Sequence, residues 1–417
     1  MAPVETNDER VKATVRQDAR TWIEAHWDPA LELTTWRRHL HEARWACPTW
    51  PTECGGRGLP SWADGIVKEE LAAAGAVGTP LGSGMDLAAP TILAHGSPAQ
   101  KHTFLPPIVT GEDTWCQLFS EPGSGSDLAG LTTTAIRDGE VFVVNGQKVW
   151  STSAHHAAFG MLLARTDWDA PKHKGISWMA LPMRQQGVEV RPLRQMNGHA
   201  SFNEVFLSDA VVPVENVVGQ LGEGWPIALT TLAHERGFHS VRRRDSGSGG
   251  TALEEAEAEA EAYLATYSWY PQRAGRVDLV TEHARATGRD DDPVSRQTIA
   301  GLSALHRAHE WTAARARVSR QLGRPPGPEG SIGKLGLSKV AREAARTHTQ
   351  LAGPAGMLVG PSSPFHGVIA EVLESVPAQS IAGGTDEIQR NILAERILGL
   401  PKETKAPAVS FREWKRA

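Results

Sequence analysis

The residues of this chain whose types and spacing could do chemistry are few. His234-Glu235 with His239 superficially fits a zinc-binding helix, but that motif needs its second histidine four residues after the first, where Phe238 stands. Histidines five apart diverge by about 140° around a helix, so no metal is expected there. His155 and His156 are adjacent and lack evident co-ligands. Cys47, Cys54 and Cys116 show neither CxxC spacing nor an even count. Gly383-Gly384-Thr385 is a stronger feature, because a helix start offers main-chain N–H groups to phosphates or other electronegative atoms. By residue type alone, Glu235-Arg236 reads as a surface pair worth little, Trp150 as strand core, and the run Ser120-Glu121-Pro122-Gly123-Ser124-Gly125-Ser126-Asp127 as a surface turn.

These residues must be positioned by three kinds of chain. Residues 8 to about 115 alternate helix-compatible stretches, for example 13–30 and 31–46, with breakers such as the Gly/Pro loop at 47–60. From Trp115 the pattern turns to β. Runs at 141–144 and 149–152 are β-prone, Asp138-Gly139 and Asn145-Gly146 are two-residue hairpin signals, and further pieces lie at 159–164, 176–181, 188–192 and 202–207. Helical period returns after Gly224, where Trp225-Pro226 suits a first turn, and continues through Ile227, Leu229 and Leu232. Later helices are expected over roughly 292–322, 330–351 and 385–398. Arg242 to Gly250 is a basic cluster followed by a Gly/Ser run, and that run reads as a flexible loop. The Glu/Ala alternation at 252–262 has helix formers but little to bury, and reads as a solvated helix or a disordered insertion. The expected fold class is α+β: an N-terminal helical domain over 1–114, a central β domain over 115–220, and a C-terminal four-helix-bundle-like domain over 221–405 with an inserted segment at 241–270.

Two segments carry a family likeness. Residues 120–127 followed by Asn145-Gly146-Gln147-Lys148-Val149-Trp150-Ser151-Thr152, and Gly383-Gly384-Thr385-Asp386-Glu387-Ile388-Gln389-Arg390-Asn391-Ile392, resemble the acyl-CoA dehydrogenases. Gln350-Leu351-Ala352-Gly353-Pro354-Ala355-Gly356 is similar to a third family loop, with proline at its second glycine. The resemblance implies FAD-dependent α,β-dehydrogenation of an acyl thioester, carried on CoA or on an acyl carrier protein. It implies that Trp150, Ser151 and Thr152 line the isoalloxazine, with Gln117, Leu118 and Ser120 on its pyrimidine side. Ser126 matches a contact to the pantetheine arm. Thr385 and Glu387 match contacts to the adenosine and diphosphate portion, while Gln350 and Gly353 belong to a loop that reaches the FAD of a neighbouring subunit. A homo-oligomer, tetramer or dimer, and an electron-transfer flavoprotein or similar acceptor are further expectations.

Removing two hydrogens from adjacent carbons requires a base for the α-proton and a hydride acceptor at the β-carbon. The best-known members carry the base directly before Gly-Thr of the C-terminal motif, where this chain has Gly383. A second branch, typified by the isovaleryl-CoA and long-chain enzymes, carries it on the helix opening the C-terminal domain, directly before an arginine. Glu235-Arg236 stands there, so the resemblance implies Glu235 as the base, Arg236 as a substrate-side neighbour, and the Gly383 main-chain N–H as a donor to the thioester carbonyl. Two other readings accompany it: a silent subunit that binds a partner or flavin, and an oxidase or monooxygenase on the same fold.

With 417 residues, 43 basic and 48 acidic in mixed order and a net charge of −5, the chain has no sustained basic face, so no nucleic-acid partner is expected. No apolar run approaches the roughly 20 residues of a membrane span. Neither a signal peptide nor membrane insertion is expected, and a reducing cytoplasm fits the cysteines.

Overall fold

The computed structural model describes residues 7–235, 249–321, 329–402 and 409–415. Arg236 and the 241–248 part of the expected insertion lie outside them. Two compact units are formed, one by Met1–Leu193, Phe202–Thr266 and Ala408–Ala417, the other by Arg194–Ser201 and Tyr267–Pro407.

The first unit opens with helices α1 (Asn7–His26), α2 (Leu33–Glu42), α3 (Trp62–Ala73), α4 (Ala89–His95) and α5 (Pro98–Thr110). Val15, Ala19 and Ile23 recur every fourth residue and put one face of α1 against Trp36, Leu40, Val67 and Leu71. Glu70, buried in that layer, is held by Arg16 at 2.6 Å and Arg20 at 2.7 Å. One π-helical turn, Gly84–Ala88, leads into α4.

The β domain follows as β1 (Trp115–Leu118), β2 (Thr134–Asp138), β3 (Val141–Lys148), β4 (Phe159–Arg165), β5 (Ile176–Pro182), β6 (Val188–Leu193), β7 (Phe202–Pro213) and β8 (Val217–Val218). The strand order is β6-β7-β3-β2-β4-β5-β8, with β1 parallel to β4. Asp138-Gly139 makes the expected hairpin between β2 and β3. Asn145-Gly146 does not turn. It lies inside β3 at a register shift against β7, where a Cβ on Gly146 would fall 2.4 Å from the Thr133 hydroxyl, so the glycine serves a bulge and a close approach. Nor is 149–152 a strand: β3 stops at Lys148 and Trp150 takes a left-handed φ of 63°.

Helix α6 (Gly224–Glu235) packs on β5. A Cβ at Gly224 would lie 2.5 Å from the Ser177 carbonyl carbon, which is why the helix starts on glycine. Helix α7 (Thr251–Thr266) contains the Glu/Ala run; it is the largely exposed helix of the two expected alternatives, not a disordered segment, but one face of it is engaged. Ala252 is fully buried, the Glu255 carboxylate accepts the α2 main-chain N–H of Leu33 at 2.7 Å, and Glu259 makes a two-pronged bond to the buried Arg37 at 2.7 and 3.0 Å. Alternation hid this face: residues 252, 255, 256, 259 and 263 share one side of a helix, although the letters read as uniformly acidic. Glu259→Ala leaves Arg37 buried without its carboxylate. A loss of about 1–3 kcal/mol is expected, to be measured by urea unfolding.

The second unit contains α8 (Tyr270–Arg273), α9 (Val280–Ala286), α10 (Pro293–Gln321), α11 (Glu329–Ala352), α12 (Val368–Ile381) and α13 (Asp386–Arg396). Val280, Leu302, Val340, Ala344 and Leu351 form one core, and Ala341, Ala345, Val372 and Val376 another. Helix α12 is additional to the helices expected; Pro377 within it masks its period. A short helix, α14 (Phe411–Trp414), belongs to the first unit. No helix of the described residues is long and apolar enough to cross a membrane.

Candidate active site

Two hydroxyl contacts set α6 in place. Thr91 and Thr231 share a buried hydrogen bond at 2.9 Å, and His95 Nε2 meets the Thr230 hydroxyl at 2.8 Å. The helix advances roughly 13 Å from Pro226 to Glu235 at 1.5 Å per residue. Glu235, the last of its described residues, is half-buried, and Gln117 Nε2 donates to Glu235 Oε2 at 3.3 Å. Gln117 comes from β1, whose neighbouring side chains are buried in the sheet. The structure therefore brings together two residues that the sequence assigned to different roles.

Around this contact, Ser120 is half-buried just beyond the end of β1, and its carbonyl accepts the Val149 N–H at 2.9 Å. That bond joins residues 117–120 to residues 150–152. Trp150 is 54% exposed, with its ring edge-on to Phe202 at 5.5 Å. Ser151 is fully buried, exchanges main-chain bonds with Asn203, and has a hydroxyl without a protein partner; Thr152 is half-buried. Leu118 has its side chain in the sheet core, which leaves its main chain as the part able to meet a ligand. An exposed indole, a half-buried amide and hydroxyls along one edge fit the rim of a flat heteroaromatic ring. A non-glycine residue at positive φ is the kind of local strain that gathers at binding sites.

One buried ion pair that sequence reasoning missed supports both segments. Lys148 Nζ donates to Glu121 Oε1 at 2.9 Å and to the Phe119 carbonyl at 3.1 Å. Glu121 also accepts the N–H groups of Thr132 and Thr133, both at 2.8 Å, and the Thr132 hydroxyl at 2.9 Å. Burial pushes the Glu121 carboxyl upward, but the Lys148 charge and these hydrogen bonds outweigh it and hold the pKa at about 2. Strand alternation puts Lys148 on the side of the buried Phe142 and Val144, but nothing local names the carboxylate it meets there. Ser126, on the same loop, is exposed.

In the second unit, Gly383 and Gly384 both take left-handed φ, 66° and 83°, and nothing lies within 4 Å of where a Gly383 Cβ would be. The Thr385 hydroxyl caps α13 by accepting the Ile388 N–H at 3.3 Å, and Gln389 Nε2 donates to the carbonyls of Gly383 and Gly384. Asp386 is buried; burial raises its carboxyl, yet hydrogen bonds from Lys334 and Arg342 bring it down to about 2. Glu387 and Gln350 are exposed, and Gly353 sits at φ 55° just after α11. Arg236 lies outside the described residues.

The two depressed carboxyls make an acid-stability prediction. Each is lower folded than unfolded, so its stabilisation is complete above roughly pH 4 and lost between roughly pH 4 and 2. Unfolding followed across that window should show Glu121→Gln and Asp386→Asn flattening the wild-type decline.

Three family models match the chain in order: acyl-CoA dehydrogenase, N-terminal domain, over residues 4–112; middle domain, over 116–210; and C-terminal domain, over 272–398. Acyl-CoA dehydrogenase IpdE1 of Mycobacterium tuberculosis is 36% identical over 380 residues, spanning 90% of this chain and 89% of that protein. The chain belongs to the acyl-CoA dehydrogenase family. Its reaction is the dehydrogenation of an acyl-CoA, an oxidation at a CH–CH bond. Among solved structures of the family, the ChsE4-ChsE5 complex from Mycobacterium tuberculosis aligns with a TM-score of 0.62 at 28% identity, covering 97% of this chain and 100% of that one. The Tcur3481-Tcur3483 steroid ACAD aligns with a TM-score of 0.63 at 25% identity, covering 97% and 100%.

Proposed function

We propose that this acyl-CoA dehydrogenase removes the substrate's α-proton with the Glu235 carboxylate and delivers a trans-2-enoyl thioester. The observation that carries the reading is the Gln117 to Glu235 hydrogen bond, which puts an acid beside the strand leading into Ser120, whose carbonyl in turn is bonded to Val149 just ahead of residues 150–152. FAD is the proposed cofactor, held by Gln117, the Leu118 main chain, Ser120, Trp150, Ser151 and Thr152, with Gln350, Gly353, Thr385 and Glu387 as the proposed contacts to its remaining portion. When bound, a flavin supplies the hydride acceptor for the β-carbon. Gln117 orients the carboxylate, Ser126 and Arg236 contact the substrate, and the Gly383 N–H donates to the thioester carbonyl, which stabilises the enolate-like charge and acidifies the α-proton.

An electron-transfer flavoprotein or similar carrier is the proposed acceptor, and the cytoplasm the proposed location. Assembly into a homo-oligomer, tetramer or dimer, is proposed from the family resemblance. The paired names ChsE4-ChsE5 and Tcur3481-Tcur3483 support a second, related chain as the alternative partner. The steroid ACAD likewise supports including polycyclic acyl-CoAs among the substrates to be tried.

The test is anaerobic mixing of the flavin-loaded protein with straight-chain, branched and polycyclic acyl-CoAs. Bleaching of the flavin with formation of the enoyl thioester is expected for at least one. A protein that FAD cannot reconstitute would instead support a silent subunit, and oxygen consumption during turnover would support an oxidase or monooxygenase.

A further inference from the structure

Residues 409–415 fall beyond the 272–398 span that matches the family's C-terminal domain, yet they dock closely on the β domain. The Phe411 N–H donates to the Ala170 carbonyl at 3.0 Å, the Arg412 N–H to the Trp168 carbonyl at 3.1 Å, and Arg412 pairs with Asp169 at 3.0 Å. Ser410 and Glu413 form a capping box that fixes the turn of α14. Phe411 is fully buried, and its ring lies 3.4 Å from the Arg165 guanidinium carbon.

Arg165 is itself buried and donates to three main-chain carbonyls: Ala129 at 2.7 Å, Leu131 at 3.2 Å and Lys172 at 3.2 Å. Lys172 completes the arrangement, with Nζ 3.6 Å over the Trp414 ring and 2.6 Å from Asp127 Oδ2. Three of these bonds, to Asp127, Ala129 and Leu131, end on the loop that directly follows Ser126. A guanidinium cut off from water needs both its carbonyl partners and an aromatic face, so losing Phe411 would let water compete for the bonds that hold 129 and 131.

We propose that residues 409–415 are a positioning clasp for the thioester arm: Phe411 and Trp414, acting through Arg165 and Lys172, hold the 127–131 loop and thereby the substrate contact at Ser126. This rests on the reading of Ser126 as a contact to the pantetheine arm. The clasp touches neither substrate nor flavin and acts on affinity for the arm.

The experiment compares wild type, Phe411→Ala, Trp414→Ala and Phe411→Tyr in the flavin-loaded full chain. CoA affinity is measured by calorimetry, and KM and kcat with one acyl-CoA and with the matching N-acetylcysteamine thioester. Phe411→Ala should raise the acyl-CoA KM and weaken CoA binding about tenfold, the order of one desolvated cation–π contact. Its kcat and flavin spectrum should stay near wild type. Trp414→Ala should act in the same direction, Phe411→Tyr should restore wild-type KM, and the short thioester should be insensitive. Wild-type KM and CoA affinity in both alanine variants, or an equal loss on the short thioester, would overturn the clasp. A wild type that binds CoA without turnover would refute the catalytic reading while the binding series still decides this one.

Discussion

Glu235→Gln is expected to leave FAD bound and to slow acyl-CoA-driven bleaching by about a thousandfold, within the range that loss of a positioned general base produces. The substitution keeps shape and length, so α6 should stay anchored by the Thr91–Thr231 and His95–Thr230 contacts. A glutamine can still accept from the Gln117 amide. What it lacks is basicity toward a carbon acid, and that loss should appear in the chemical step rather than in flavin affinity. Stopped-flow bleaching at saturating thioester isolates this step. Gln117→Leu provides the companion measurement, because it removes the donor that orients the carboxylate and should cost a smaller part of the same rate.

The second large effect concerns Lys148. Lys148→Ala strands the Glu121 carboxylate, 7% exposed, among main-chain donors in the sheet. Removing one member of a buried pair costs about 3–5 kcal/mol, and the loss should be seen in urea unfolding. Flavin retention should fall with it, since the same pair ties residues 119–121 to the strand that delivers residues 150–152. Replacing both partners, as in Lys148→Met with Glu121→Leu, should recover part of the stability, because no uncompensated charge remains.

The sequence made the succession of helical, β and helical segments legible because their periods differ, and the Asp138-Gly139 turn and the Trp225-Pro226 helix start stand where such residues belong. It misread elements whose character depends on tertiary partners. Asn145-Gly146 is a turn dipeptide by propensity, yet Thr133 and the β7 register make it a bulge. The Glu/Ala run looks solvated on every side until Arg37 is seen to lie buried beneath Glu259. In the candidate site, single residues could be nominated by resemblance, but their mutual support could not. The hydrogen bond between Gln117 and Glu235 spans 118 residues, and that between Lys148 and Glu121 spans 27. Phe411 over Arg165 is equally long-range, and no local pattern around either residue announces it.

Glu235 as the acceptor of the α-proton is tested most directly by hydrogen exchange, free of hydride transfer. A CoA thioester with sulfur in place of the β-carbon cannot be dehydrogenated but retains an acidic α-position. Incubated in deuterium oxide with the FAD-loaded protein, it should gain α-deuterium with wild type and essentially none with Glu235→Gln. Exchange at the wild-type rate in that variant would assign the base to another residue.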